Sequence, residues 1–221
     1  MSADELIGSS KALLFDLDGT LVDTLPVIFD AYSIALRELG VPALHWDDFL
    51  TRLAENTTAL KSLTAHAEQH GLHVDGKKMQ DALRHGFVCA VSAAPEVQAI
   101  VPAVSAAKVA KERGTPIALV TASPSTWARR MLAAGGLSGL FEGCVTVTRD
   151  TDGLLRQKPD PEPFRLAAER LGVRLQDCVV FEDTDAVMAP LRELGVRVVD
   201  VRNLPGHPRY DERRGRAASK L

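Results

Sequence analysis

No apolar run in this sequence approaches the roughly 18 to 20 residues that a membrane span needs. Its first residues, Met1 to Ser10, hold acids instead of the apolar stretch of a secretion signal. Neither membrane insertion nor secretion is expected, and the reading is of a cytoplasmic protein. Cysteine is scarce: Cys89, Cys144 and Cys178 are widely spaced, with no CxxC pair and no histidine at metal-ligand spacing. Reduced, buried thiols are expected of them. The six histidines, His45, His66, His70, His73, His85 and His207, form no HExxH or similar pattern, so surface placement is expected.

Charge of one sign is lacking too. The balance of 26 basic against 29 acidic residues gives a net charge of -3 and a pI near 6.1, which offers no footprint for nucleic acid or an anionic membrane. The Arg-rich end from Arg209 to Lys220 is a local exception and reads as a frayed, solvated tail. There is no internal repeat and no low-complexity segment.

What is present is an ordinary globular composition, 46% hydrophobic and 25% charged, over 221 residues, enough for one core and a sizeable insertion. Short continuous apolar runs recur at Ala12–Phe15, Ile117–Val120, Val145–Val147, Cys178–Phe181 and Val196–Val199, each suiting a strand buried on both faces. Helical patterns separate them: Ala103–Arg113, Pro124–Ala134 with Ser123 as N-cap, Pro161–Leu171 and Thr184–Leu194, the last two closed by Gly172 and Gly195. Strand and helix in alternation predict an α/β fold, a parallel sheet covered on both faces. From Leu25 to Ala94 the rhythm breaks into helices at Pro26–Leu39, Trp46–Leu53, Ala59–His70 and Lys77–Ser92. The predicted organisation is therefore an α/β core of residues 1–24 and 95–221 with an all-helical insertion at 25–94.

Ligands of open parallel sheets bind at the carboxyl ends of the strands. After the first run come Asp16 and Asp18, two apart and so able to face the same space, then Gly19 and Thr20. After the second come Thr121, Ala122 and Ser123, a hydroxyl and backbone amides suited to an anion. Glu182 and Asp183 follow the fourth, and Lys158 stands in a loop stiffened by Pro159 and Pro161. Each has a simpler reading: Asp16 to Gly19 as a turn or calcium loop, Thr121 as a helix-entry cap, Lys158 as a solvated lysine, and Asp183 as the cap of the next helix. Trp46 and Trp127 read as packing residues.

Together the four signals describe one chemistry. A carboxylate attacking a phosphate dianion meets like-charge repulsion, which a divalent cation and a lysine must offset. Asp16 is expected to be nucleophile, Asp18 general acid and then base, and Thr121, Ala122 and Lys158 phosphate ligands. Asp16, Asp18, Glu182 and Asp183 are expected to hold Mg2+, which takes oxygen ligands.

In that order, Asp16-Leu17-Asp18-Gly19-Thr20, Thr121, Lys158 and Glu182-Asp183 resemble the four motifs of the haloacid dehalogenase superfamily of phosphatases, in its helical-cap subgroup. The resemblance spans almost the whole chain. It implies a Rossmann-like core, a mobile cap, Mg2+ and a small phosphorylated metabolite as substrate, with a monomer or weak dimer expected. Leu21 to Pro26 followed by Ile28 is similar to phosphoglycolate phosphatases. Lys158 to Phe164, Cys178 to Asp183 and Val199 to Arg202 are more like sugar-phosphate phosphatases and β-phosphoglucomutases. The mutases carry a His where Ile28 stands, which favours hydrolysis. Asp18 disfavours phosphonate hydrolases and haloacid dehalogenases, which lack an acid there.

A sugar-phosphate phosphatase is therefore expected. The alternatives are a phosphomutase, a phosphoglycolate phosphatase, or a non-catalytic binding protein on the same scaffold. Two departures stand out: Val187 occupies a position where the family has Gly, and the insertion lacks a Gly-containing specificity loop, leaving Arg52, Asn56 and Lys61 as polar candidates.

Overall fold

The computed structural model describes residue 8 and residues 10–54, 58–94, 96–151 and 153–210. Five strands form one parallel sheet: β1 (Ala12–Phe15), β2 (Ile117–Val120), β3 (Val145–Val147), β4 (Cys178–Glu182) and β5 (Arg197–Asp200), in the order β3-β2-β1-β4-β5. The three central strands are buried along their whole length, whereas the edge strands β3 and β5 are partly covered. That distribution follows from their composition, since a strand covered on both faces has no position where a polar side chain would meet water.

Side chains alternate between the two faces. Ala12 and Leu14 of β1, Ala118 and Val120 of β2, and Cys178 and Val180 of β4 join Phe164, Ala167, Val187 and Leu191 in one buried cluster. Those last four lie on α8 (Glu162–Arg170) and α9 (Asp185–Glu193). On the opposite parity, Phe15 stacks on Phe181 with ring centroids 4.6 Å apart and meets Phe141 edge-on at 6.1 Å.

The chain divides into two compact units, one of residues 1–23 and 97–221, the other of residues 24–96. Among its described residues the regular elements of the second are all helices: α1 (Leu25–Glu38), α2 (Trp46–Ala54), α3 (Ala59–Gln69) and α4 (Gly76–Ala93). It has its own core, in which Tyr32, Leu36, Phe49, Leu63, Met79 and Leu83 are buried and Ile28 and Trp46 pack partly covered. The first unit adds α5 (Val101–Glu112), α6 (Ser125–Ala134) and the short α7 (Ser138–Phe141). No described helix is long and apolar enough to cross a membrane.

Several local expectations need correction. α6 begins at Ser125, not at Pro124, and its first amide is capped from a distance: Ser125 donates from its amide and its hydroxyl to Asp150, both at 2.8 Å. Ser123 is therefore no N-cap. Only Cys178 of the three free cysteines is buried; Cys89 and Cys144 are partly covered. His66 and His207 are buried rather than exposed, and Arg52 is tied to Ser62 and Gln69 inside the helical unit. Asn56 lies outside the described residues, and Lys61 is exposed.

Candidate active site

β1 and β4 pair in parallel with Phe15 opposite Phe181, so the residues that follow, Asp16 and Glu182, emerge side by side at the carboxyl edge of the sheet. Both continue the face that α8 covers. Lys158 enters from the loop before α8, its ammonium 4.8 Å from the centroid of the Phe164 ring. It donates to Asp16 Oδ1 at 2.6 Å and to Glu182 Oε2 at 2.8 Å. The Lys158 side chain is only 4% exposed, which rules out the solvated lysine of the simpler reading.

Three charges share this buried space. Burial raises the Asp16 carboxyl well above its ordinary range and Glu182 adds to the shift, while Lys158 opposes it. Glu182 is raised by burial as well, against the pull of Lys158. Burial alone would lower the ammonium of Lys158, but Asp16 and Glu182 more than offset that and hold it above its usual value. Two carboxylates share one lysine, and the surplus negative charge is what a further cation would neutralise.

Asp183 completes the acidic group: ligand atoms of Asp16, Glu182 and Asp183 all lie within 4.8 Å of one another, and all three residues are buried. An all-oxygen, buried donor set of this size suits Mg2+, which prefers hard ligands and keeps part of its water shell. The donors present therefore fit the ion. Asp183 does not cap α9; Thr184 occupies the N-cap position and donates its hydroxyl to Asp183 Oδ1 at 3.2 Å.

Asp18 has other company. Its carboxylate lies outside the group of three and accepts from Ser123 Oγ at 2.7 Å, from Trp127 Nε1 at 2.8 Å and from Thr121 Oγ1 at 3.4 Å. The turn that follows Asp18 is tight. Leu17 carbonyl accepts from the amides of Thr20, Leu21 and Val22, and Gly19 sits at φ +81°. A Cβ on Gly19 would lie 2.5 Å from Asp183 Oδ2, so close approach requires glycine there. Thr121, 3% exposed, also accepts from the Ser123 amide at 3.0 Å, and Ala122 is exposed on the turn between them.

Sequence reasoning missed Trp127 and two residues of the C-terminal segment. From sequence Trp127 reads as packing, and an indole gives no sequence signal of which carboxylate its N–H will reach. His207 is buried with Nε2 3.0 Å from the Gly19 carbonyl, and Arg209 pairs through its guanidinium with Asp183 Oδ2. Arg209 is thus no part of a frayed tail, while residues 211–220 of that Arg-rich end lie outside the described residues. Val187, marked as a departure, points into the buried cluster beneath α9 and is accommodated there.

A parallel five-stranded sheet with acids at the ends of β1 and β4 and a buried lysine between them is the framework of an α/β enzyme that works with strand-end carboxylates. The chain belongs to the haloacid dehalogenase-like hydrolases, whose profile matches residues 10–195. It is 32% identical over 197 residues to fructose-1-phosphate phosphatase YqaB of Escherichia coli, covering 87% of this chain and 96% of that protein. It is also 32% identical to the plasmid-encoded phosphoglycolate phosphatase of Cupriavidus necator, over 86% of this chain and 80% of the relative. Among solved structures, a hydrolase of the same family from Deinococcus radiodurans, crystallised with bound phosphate and sodium, superposes with a TM-score of 0.67 at 28% identity. That match covers 90% of this chain and 83% of the other. The expectation of a phosphatase of this family is met.

Proposed function

We propose that the chain hydrolyses a small phosphomonoester, with sugar phosphates preferred, in a Mg2+-dependent reaction that passes through an aspartyl phosphate on Asp16. The observation that carries this reading is the unequal setting of two acids from one short motif. Asp16 is buried against a lysine, and Asp18 is held separately by an indole N–H and a serine hydroxyl. Two carboxylates in contrasting environments are the usual basis for dividing nucleophilic from acid–base work.

In the first half-reaction a carboxylate oxygen of Asp16 attacks phosphorus and the bond to the leaving oxygen breaks, with Asp18 giving that oxygen a proton. Lys158 neutralises charge on Asp16 and on the incoming phosphoryl oxygens, and Thr121 with the amides after it faces the same edge. In the second half Asp18 takes a proton from water, the water oxygen bonds to phosphorus, and the bond to Asp16 breaks to release phosphate. Asp16 and Asp183, supported by Glu182, would hold Mg2+, which supplies charge neutralisation for the phosphoryl group when bound. We assign residues 25–94 the part of a cap that selects the substrate, on the strength of the family resemblance. The sugar preference rests on the sequence around Lys158 and on the named activity of the Escherichia coli relative.

The test is release of phosphate from p-nitrophenyl phosphate and then from a panel of phosphorylated metabolites. Asp16→Asn should lower turnover by at least about a thousandfold. Normal turnover by that variant would sink the covalent route.

A further inference from the structure

The C-terminal segment after β5 is fastened in steps. Arg202 donates to Asp200 and to Asp185, with its closest contact 2.6 Å from Asp185 Oδ1. Five residues on, His207 is 4% exposed, and its Nδ1 lies 3.0 Å from the Arg209 amide. An amide only donates, so Nδ1 is the acceptor. The proton then sits on Nε2, which donates to the Gly19 carbonyl. His207 is a buried, neutral spacer between the turn that follows Asp18 and the backbone of Arg209.

That spacer aims Arg209 at the acidic group. Its guanidinium pairs with Asp183 Oδ2, while Thr184 donates to Oδ1, so both carboxylate oxygens of Asp183 are engaged. The pair is largely covered, with side chains 20% and 8% exposed. The absence of a side chain at Gly19 makes the room, since a Cβ there would stand 3.2 Å from the guanidinium. In charge terms, Asp16, Glu182 and Asp183 carry three negative charges, and Lys158 offsets one. The remainder matches a divalent cation, unless Arg209 offsets another.

We propose that Arg209 is a built-in counterion that holds the Asp183 side of the cation site and gives way when a divalent cation binds, so that the C-terminal segment sets the metal affinity. This rests on the reading of Asp16, Glu182 and Asp183 as that site. An internal cation that must leave first weakens apparent binding by the fraction of time the carboxylate is open. A pair closed for nine-tenths of the time weakens it about tenfold.

The experiment is calorimetric titration of MgCl2 into the full-length protein, free of phosphate, for wild type, Arg209→Gln and Arg209→Lys, with thermal unfolding measured at each Mg2+ level. Arg209→Gln should bind Mg2+ about tenfold more tightly. Arg209→Lys, a shorter point charge with no fork to match the carboxylate, should fall between. Without Mg2+ the Gln variant should melt below wild type, and Mg2+ should raise its Tm by more. A structural role alone would lower the melting temperature under both conditions. Wild-type Mg2+ binding with unchanged or weaker binding in both variants overturns the proposal and leaves the metal site standing. Failure of the wild type to take up Mg2+ overturns both. Should Arg209→Gln not fold, tighter binding by Arg209→Lys than by wild type is the result required.

Discussion

Lys158 brings its ammonium into a space where its own side chain is 4% exposed and those of Asp16 and Glu182 are 8% and 2% exposed. Removing one member of such a group leaves uncompensated buried charge, which costs far more than the net worth of the intact pair. Lys158→Met, close in volume, is expected to lose about 3 to 5 kcal/mol in urea unfolding at neutral pH. The sign of its pH dependence follows from the carboxyls. Asp16 and Glu182 already have raised values when folded, and loss of the lysine raises them further. The folded variant then binds more protons than its unfolded chain, so its stability falls as pH rises and the deficit shrinks on acidification. A deficit that stayed constant between about pH 5 and about pH 7 would show that the lysine does not compensate these two acids. At this scale the site was legible wherever a residue's role is fixed by its place at a strand end: Asp16, Thr121, Glu182 and Asp183 follow the apolar runs directly. Trp127 was not, because it lies on a helix and not at a strand end, and its link to Asp18 spans more than a hundred residues and leaves no local pattern.

The elements were more legible than their contacts. Short apolar runs mark the strands of a parallel sheet, and all five strands lie within a residue or so of their expected spans. Their order across the sheet is set by pairing, which periodicity does not encode. α6 shows the same limit, since Asp150 caps it from 25 residues away. Helix-on-helix approach is a further case. On α4, a Cβ added to Gly86 would lie 2.2 Å from the Ala31 carbonyl oxygen of α1. Helix propensity taken alone favours alanine over glycine by about 1 kcal/mol. A backbone carbonyl cannot swing aside as a side chain can, so α1 and α4 would have to separate, and overpacking of this kind costs about 1 to 3 kcal/mol. Steric cost is expected to win. Gly86→Ala should melt below wild type, and a raised melting temperature would mean that the two helices do not approach so closely.

Across the whole molecule, the longest tie among the contacts of the site joins the two ends of the first unit. His207 reaches Gly19 over 188 residues of sequence, and neither end hints at it, because a histidine near a basic terminus has solvent as its ordinary surroundings. Its burial ties the fold to pH. Desolvation holds the imidazole below its ordinary value, with the Gly19 carbonyl pulling the other way. The unfolded chain, by contrast, takes up a proton at His207 near the ordinary histidine value of about 6.5. As pH falls from there the unfolded state binds more protons than the folded one, and stability present above that value is lost on the way down through the lowered folded value. One such proton changes the unfolding free energy by at most about 1.4 kcal/mol per pH unit. His66, also lowered by burial, contributes with the same sign, so the share of His207 has to be taken by difference. His207→Gln keeps an N–H for the Gly19 carbonyl and cannot titrate. Urea unfolding at about pH 7.5 and about pH 5.5 should show a smaller loss on acidification in the variant than in wild type. An equal loss in both proteins would mean that His207 titrates alike in the folded and unfolded chain, and that its imidazole is not the neutral spacer holding the C-terminal segment to the turn after Asp18.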